Sequence, residues 1–156
     1  MHAEQIMATL RLDQFALIFM TVRNPMDRLI SEYRLRKMML EAPETFSAWF
    51  ERMLHGHAED PHFLDNHIRP QVEFRVPGAE TFHHEAGRAA IVQRIGAKLG
   101  INLAKPDITV EHQAPPTAIP SDDIARVEAM ARVFYLRDYT AFGYLACDGH
   151  TRLGRK

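Results

Sequence analysis

The chain changes its pattern of apolar and polar positions several times, and each change marks an element. Six apolar residues in a row, Phe15 to Met20, predict a buried β-strand. Before them, residues 2–12 read as the end of a helix, with Ile6, Leu10 and Arg11 leading into the strand. After them the period becomes helical, with Met26, Leu29, Ile30, Tyr33 and Leu40 on one stripe. The start of that helix is written out: Asn24 is a good N-cap, Pro25 suits the first helical position, and Asp27 favours the positive end of the dipole. Asn24, Arg28 and Ser31 fall together on a different face. The corner Pro43-Glu44-Thr45 opens a second amphipathic helix, with Phe46, Trp49, Phe50 and Met53 as its apolar face. That spacing makes Trp49 and Phe50 core residues rather than a sugar-stacking surface.

The periodicity then lapses. Residues 55–71 are rich in His, Asp, Asn and Pro and predict a long loop, ordered by Phe63 and Ile68 as apolar anchors. Val76 to Ala79 is a turn, and Glu80 to His84 a short strand of poor alternation. A helix from Gly87 to Leu99 presents Ile91, Val92, Ile95 and Leu99, with Gly100 as its C-cap. A Pro-containing connection spans 102–120. Ser121-Asp122-Asp123 caps the last long helix, where Ile124, Val127, Ala131 and Phe134 are in register. Tyr135, Tyr139, Phe142 and Tyr144 are expected in the core, with their hydroxyls satisfied locally. The balance is helices around a small sheet. A lone buried strand cannot satisfy its own backbone groups, and this chain offers few partners for it.

Composition narrows the class. A chain of 156 residues with 46% apolar and 25% charged residues fits one soluble globular domain, taken as 1–148, with a basic flexible tail at 149–156. A net charge of −1 gives no basic field for nucleic acid or an anionic membrane surface. The single cysteine, Cys147, excludes an internal disulfide and fits a reducing compartment. No apolar run approaches the roughly 20 residues that span a bilayer. The N-terminus lacks the pattern of a signal peptide, so a cytoplasmic location is expected. Arg outnumbers Lys by fifteen to four. Arg suits bidentate recognition of phosphate, sulfate and carboxylate, although high-GC coding produces the same bias.

The candidate chemistry starts at Arg23. A buried strand that delivers an Arg to a helix N-terminus makes an anion site, and phosphate is the first ligand to consider. The structural alternative is an Arg that closes the helix or pairs with Asp27, with Ser31 on a solvated face. His67 has the side chain to take a proton near neutral pH. Its bland alternative is a loop His bonded to a carbonyl, or one that holds the Pro70 turn. Gln71 either contacts substrate oxygens or closes a turn. The histidines His55, His57, His62, His67, His83 and His84 have neither a nearby Cys nor a His-Glu-x-x-His spacing, so no metal is expected.

The string Val22-Arg23-Asn24-Pro25-Met26-Asp27-Arg28-Leu29-Ile30-Ser31-Glu32-Tyr33 after an apolar strand resembles the 3′-phosphate-binding motif of sulfotransferases, most closely the carbohydrate-type sulfotransferase family 2. His67-Ile68-Arg69-Pro70-Gln71 resembles that family's His-x-x-Pro-Gln element. Tyr135 to Tyr144 is similar to its closing Tyr-x-x-Asp-Tyr-x-x-Phe-Gly-Tyr signature. Three elements in the right order cover residues 15–144. The resemblance implies an α/β fold: a P-loop nucleotide-kinase-like core, here mostly helical with a reduced parallel sheet. It implies sulfuryl transfer from PAPS (3′-phosphoadenosine 5′-phosphosulfate) to a hydroxyl, expected on a carbohydrate, with no metal. By the same resemblance Arg23 and Ser31 hold the donor's 3′-phosphate. Arg28 supports them, His67 is the base, and Gln71 contacts acceptor or donor oxygens.

One family element has no counterpart. The Pro-Lys-x-x-Gly-Thr-Ser loop that holds the 5′-phosphosulfate is not matched: no Gly precedes a Ser or Thr, and no Lys precedes residue 37. The expectation is therefore a family member without its N-terminal part, impaired in transfer. Two other readings stay open. One is a non-catalytic remnant that binds PAP, the desulfated nucleotide; the other is an interaction module whose incomplete sheet pairs with a second copy as a homodimer.

Overall fold

The computed structural model describes residues 3–39, 44–103 and 118–146. Leu40, Pro43, most of the 102–120 connection, Cys147 and the tail from 149 lie outside these residues. The element order is α1 (Ala3–Thr9), β1 (Phe19–Val22), α2 (Pro25–Met39), α3 (Phe46–Glu59), β2 (Glu80–His83), α4 (Arg88–Leu99), α5 (Ser121–Phe134) and α6 (Leu136–Ala141). Short 3-10 turns stand between them. The fold is α/β and mostly helical, with a small parallel sheet.

The sheet pairs β1 with β2 in parallel, Phe19 opposite Glu80 through Val22 opposite His83. The strand expected at Phe15–Met20 thus starts four residues later, ends two later and is not buried throughout. Phe15 is 52% exposed and Phe19 45%, while Val22 is 1% exposed. A continuous apolar run marks a strand covered on both faces. Among the described residues β1 has one neighbour, so its apolar side chains outnumber the surfaces that cover them.

The helices form the core. Leu29 and Tyr33 of α2 pack with Phe46, Trp49, Phe50 and Met53 of α3 and with Val127 and Ala131 of α5. Ile68, Tyr135 and Tyr139 complete the cluster. Its aromatic rings interlock, with Phe46 and Trp49 stacked at 6.0 Å and Phe50 and Tyr135 at 6.4 Å. The caps are partly non-local. The Asn24 side chain accepts from the Met26 N–H at 2.9 Å, as the sequence predicts for α2. Asp123, expected to cap its own helix, instead accepts from the N–H groups of Phe46 and Ser47 at 2.7 and 3.1 Å. It thereby closes the start of α3 from the first turn of α5. Burial alone would raise the Asp123 carboxyl, but these bonds with Ser47 and Phe46 outweigh it and hold it below the usual range.

Helix α3 runs past the expected loop boundary to Glu59. A tertiary contact explains the extension. The missing side chain of Gly56 leaves room for the Phe63 ring, which a Cβ there would approach to 2.6 Å. His57 continues the inner face and meets the Phe134 ring edge-on at 5.1 Å. The His57 Nε2 is buried without a hydrogen-bond partner among the described residues, and burial lowers the pKa of this histidine. Gly100 ends α4 in the left-handed region, at φ 66°, as its C-cap role requires.

Candidate functional site

The segment from Asn66 to Gln71 lies along the first two turns of α2 and is tied to it at three levels. At the start of the helix, Gln71 meets the main chain of Arg23. The Arg23 N–H donates to Gln71 Oε1 at 2.9 Å, and Gln71 Nε2 donates to the Arg23 carbonyl at 2.8 Å. One turn on, the Arg28 guanidinium donates to the carbonyls of Arg69 and His67 at 2.8 and 2.7 Å, with Asn66 at 3.4 Å. One turn further, His67 Nδ1 lies 3.0 Å from Glu32 Oε2. As α2 advances from 23 to 32, the facing segment falls from 71 to 67. The first two motif segments therefore dock antiparallel.

The turn that feeds this segment is strained. Leu64, Asp65 and Asn66 all have positive φ, at 54°, 51° and 66°. Three consecutive non-glycine residues in this region are uncommon, and such strain collects at functional turns. Asn66 offsets part of it, since its Oδ1 accepts from Arg69 Nη1 at 3.3 Å. The result holds His67 over an open cleft of about 450 Å3 lined by Arg28, Glu32, Asp65, Asn66, His67 and Phe74.

The third motif reaches the same segment from the other side. Asp138 is fully buried, and its carboxylate accepts from the Gln71 and Val72 N–H groups at 2.7 and 2.8 Å. Burial pushes this carboxyl up, against the hydrogen bonds from Val72 and Gln71 and the charge of Arg28. The Tyr135 hydroxyl donates to the Ile68 carbonyl at 2.5 Å, a partner distant in sequence rather than the local one expected for these tyrosines. The three sequence elements thus converge on one hydrogen-bonded junction.

The sequence-predicted residues fall into two groups. Arg23, at the C-terminal end of β1, has no hydrogen bond or ion pair to its guanidinium among the described residues. Ser31 stands exposed on α2. Ser31 and His67 are exposed, while Arg23 is half-buried. Arg28 and Gln71 are engaged inward, by carbonyls and by the Arg23 main chain. The Glu32 carboxylate orients His67: a donated Nδ1–H leaves Nε2 as the acceptor a base needs.

Sequence reasoning missed Glu85. Its Oε1 accepts from the Asn24 N–H at 2.7 Å, and its Oε2 accepts from the Tyr144 hydroxyl at 3.0 Å. His83 Nδ1 lies 3.0 Å from the same hydroxyl. Burial and the Glu85 carboxylate both raise the Tyr144 pKa, while Arg23 lowers it. This acidic group at the ends of both strands had no signal in sequence. Its contacts span about 60 residues of chain, and Glu85 belongs to no motif.

Among the described residues no group of three or more His, Cys, Asp or Glu is placed to hold a metal ion, and no helix is long and apolar enough to cross a membrane. A larger cleft of about 550 Å3, lined by residues such as Lys37, Ser47 and Arg126, contains none of Arg23, Ser31 or His67.

No curated protein and no solved structure matches the chain. The model of the sulfotransferase family matches residues 1–88, more than half of the 156 and a span that contains Arg23, Ser31, His67 and Gln71. With two motif segments inside the match and the third bonded to them through Asp138 and Tyr135, the chain belongs to the sulfotransferase family.

Proposed function

We propose that the junction is a donor site, that the donor is PAPS, and that the acceptor is a hydroxyl of a carbohydrate. The observation that carries this reading is the guanidinium of Arg23, which no described residue engages by a hydrogen bond or ion pair. It stands at the end of a parallel strand, just before the first turn of α2, whose own N–H groups at Asn24 and Met26 are taken by Glu85 and the Asn24 side chain. Arg23 would hold the 3′-phosphate through charge-assisted bonds, with the exposed Ser31 hydroxyl as a second donor. Arg28 has a supporting role, since it fixes the His67 and Arg69 carbonyls and with them the segment that carries His67. His67 would take the acceptor's hydroxyl proton at Nε2, with Glu32 holding the ring and stabilising the imidazolium. The acceptor oxygen would attack sulfur in line with the leaving phosphate oxygen, and charge would spread over the sulfate oxygens much as in phosphoryl transfer.

The chain carries no Lys-containing Gly-Thr or Gly-Ser loop to stabilise that charge. Turnover by residues 1–156 alone is therefore proposed to be weak, and PAP binding is the activity to measure first. A calorimetric titration of the full chain with PAP should saturate. Arg23→Ala should weaken binding about tenfold or more, since charge-assisted hydrogen bonds contribute roughly 1.5–3 kcal/mol each. A folded sample that binds no PAP, or a variant that binds as the wild type does, would overturn the donor reading. The same titration with labelled PAPS separates an enzyme from a non-catalytic nucleotide binder, because only the first releases PAP in the presence of a sugar acceptor.

A further inference from the structure

We propose that Gln71 and Asp138 form a positioning pair that sets the direction of Arg23 and, through it, the affinity for the donor. The proposal rests on the donor reading above and goes beyond it in naming what aims the cation. Strand β1 ends at Val22, so Arg23 has no strand partner to fix its main chain. Gln71 supplies one. Its carboxamide offers an acceptor and a donor to the N–H and C=O of a single residue, the same reciprocal exchange as one hydrogen-bonded pair of an antiparallel ladder. With both groups held, the Arg23 dihedrals are fixed, and with them the Cα–Cβ direction.

Gln71 would be a loose partner if its own backbone drifted. Asp138 prevents this. Its carboxylate accepts two successive N–H groups at the start of the 3-10 turn Gln71–Phe74, at 2.7 and 2.8 Å. The Gln71 amide has two N–H donors: one makes the 2.8 Å bond to the Arg23 carbonyl, and the contact of Nε2 with Asp138 Oδ2, at 3.5 Å, leaves that bond in place. A fully buried carboxylate whose charged form burial opposes is an expensive way to hold a loop. Its retention is accounted for when the loop itself must hold something. The relay runs from α6 through Asp138 and Gln71 to the Arg23 main chain, and from there to the guanidinium. Neither Gln71 nor Asp138 touches the donor in this arrangement.

The test compares Gln71→Met, which keeps the volume and removes both hydrogen bonds, with Arg23→Ala and the double variant, all in the full chain. PAP affinity is read by calorimetry, and the exchange rate of the Arg23 amide by NMR. Gln71→Met should accelerate Arg23 amide exchange and weaken PAP binding roughly tenfold, yet cause no further loss in the Arg23→Ala background. A merely structural role would lower thermal stability equally in both backgrounds and leave PAP affinity of the folded protein unchanged, which overturns the proposal. If the wild type binds no PAP, the donor reading fails. Amide exchange then still decides the pair: acceleration sustains the positioning of Arg23, and an unchanged rate refutes it. Should Gln71→Met fail to fold, Gln71→Asn, too short to reach Arg23, is read in the same way.

Discussion

Gly56 and His57 are neighbours in one helix turn and illustrate how single positions are decided by what packs on them. In an exposed helix, Gly to Ala stabilises by roughly 0.5–1 kcal/mol. At Gly56 the added methyl would meet the Phe63 ring at 2.6–2.7 Å. Gly56→Ala is therefore expected to destabilise by about 1–3 kcal/mol in urea unfolding, the range for overpacking. His57 carries a pH dependence. Burial holds its folded pKa below the ordinary 6.5, with Glu73 pulling it up and Arg69 down. A depressed folded pKa means that the unfolded chain takes up the proton first. The stability is complete above about pH 6.5 and is lost as the pH falls towards the folded value. Urea midpoints measured between pH 7.5 and 5 should fall in the wild type, and His57→Leu should flatten that part of the slope.

At the scale of elements, the decisive feature is how α2 and the 66–71 segment hold each other. Arg28 makes a planar fork over two carbonyls at 2.7–2.8 Å, which a point charge on a flexible stem cannot copy. Arg28→Lys should thus cost roughly 1.5–3 kcal/mol of stability. It should also speed proteolytic cleavage between Asp65 and Arg69, a loss that no change at an exposed α2 residue would produce. The sequence assigned Arg28 a supporting role from its place in the motif. What it supports became visible only with the structure, because the hydrogen bonds join residues about 40 positions apart. The shifted β1 has a similar cause. Its residues are apolar enough for a strand anywhere from 15 to 22, and the register with β2 chose Phe19–Val22.

The whole molecule is held by the aromatic cluster between α2, α3 and α5, and the site hangs from it. Trp49 is 1% exposed and is in ring contact with Tyr33, Phe46 and Phe50. Trp49→Ala should cost about 3–5 kcal/mol, a large part of the stability of a domain this size. Because Ile68 belongs to the same cluster, that variant should also loosen His67, seen as raised amide exchange across residues 66–69. The parallel pairing of β1 with β2 sets the other edge of the site, where Asn24, Glu85 and Tyr144 meet at the strand ends.

Local codes in the sequence determined the start of α2, the inner faces of α2, α3 and α5, the left-handed stop at Gly100, and the motifs that carry Arg23, Ser31 and His67. Each of these depends on residues within one or two helical turns, where spacing alone fixes geometry. Tertiary structure decided the length of α3, the use of Asp123 on α3 rather than α5, the acidic neighbour Glu85, and the inward commitment of Gln71. Those depend on contacts 48 to 77 residues apart or on one side chain's room beside another, and a short carboxylate or amide can serve any N–H that the fold brings near. The sequence placed Arg23 after the strand, and Gln71, from a distant part of the chain, holds its main chain.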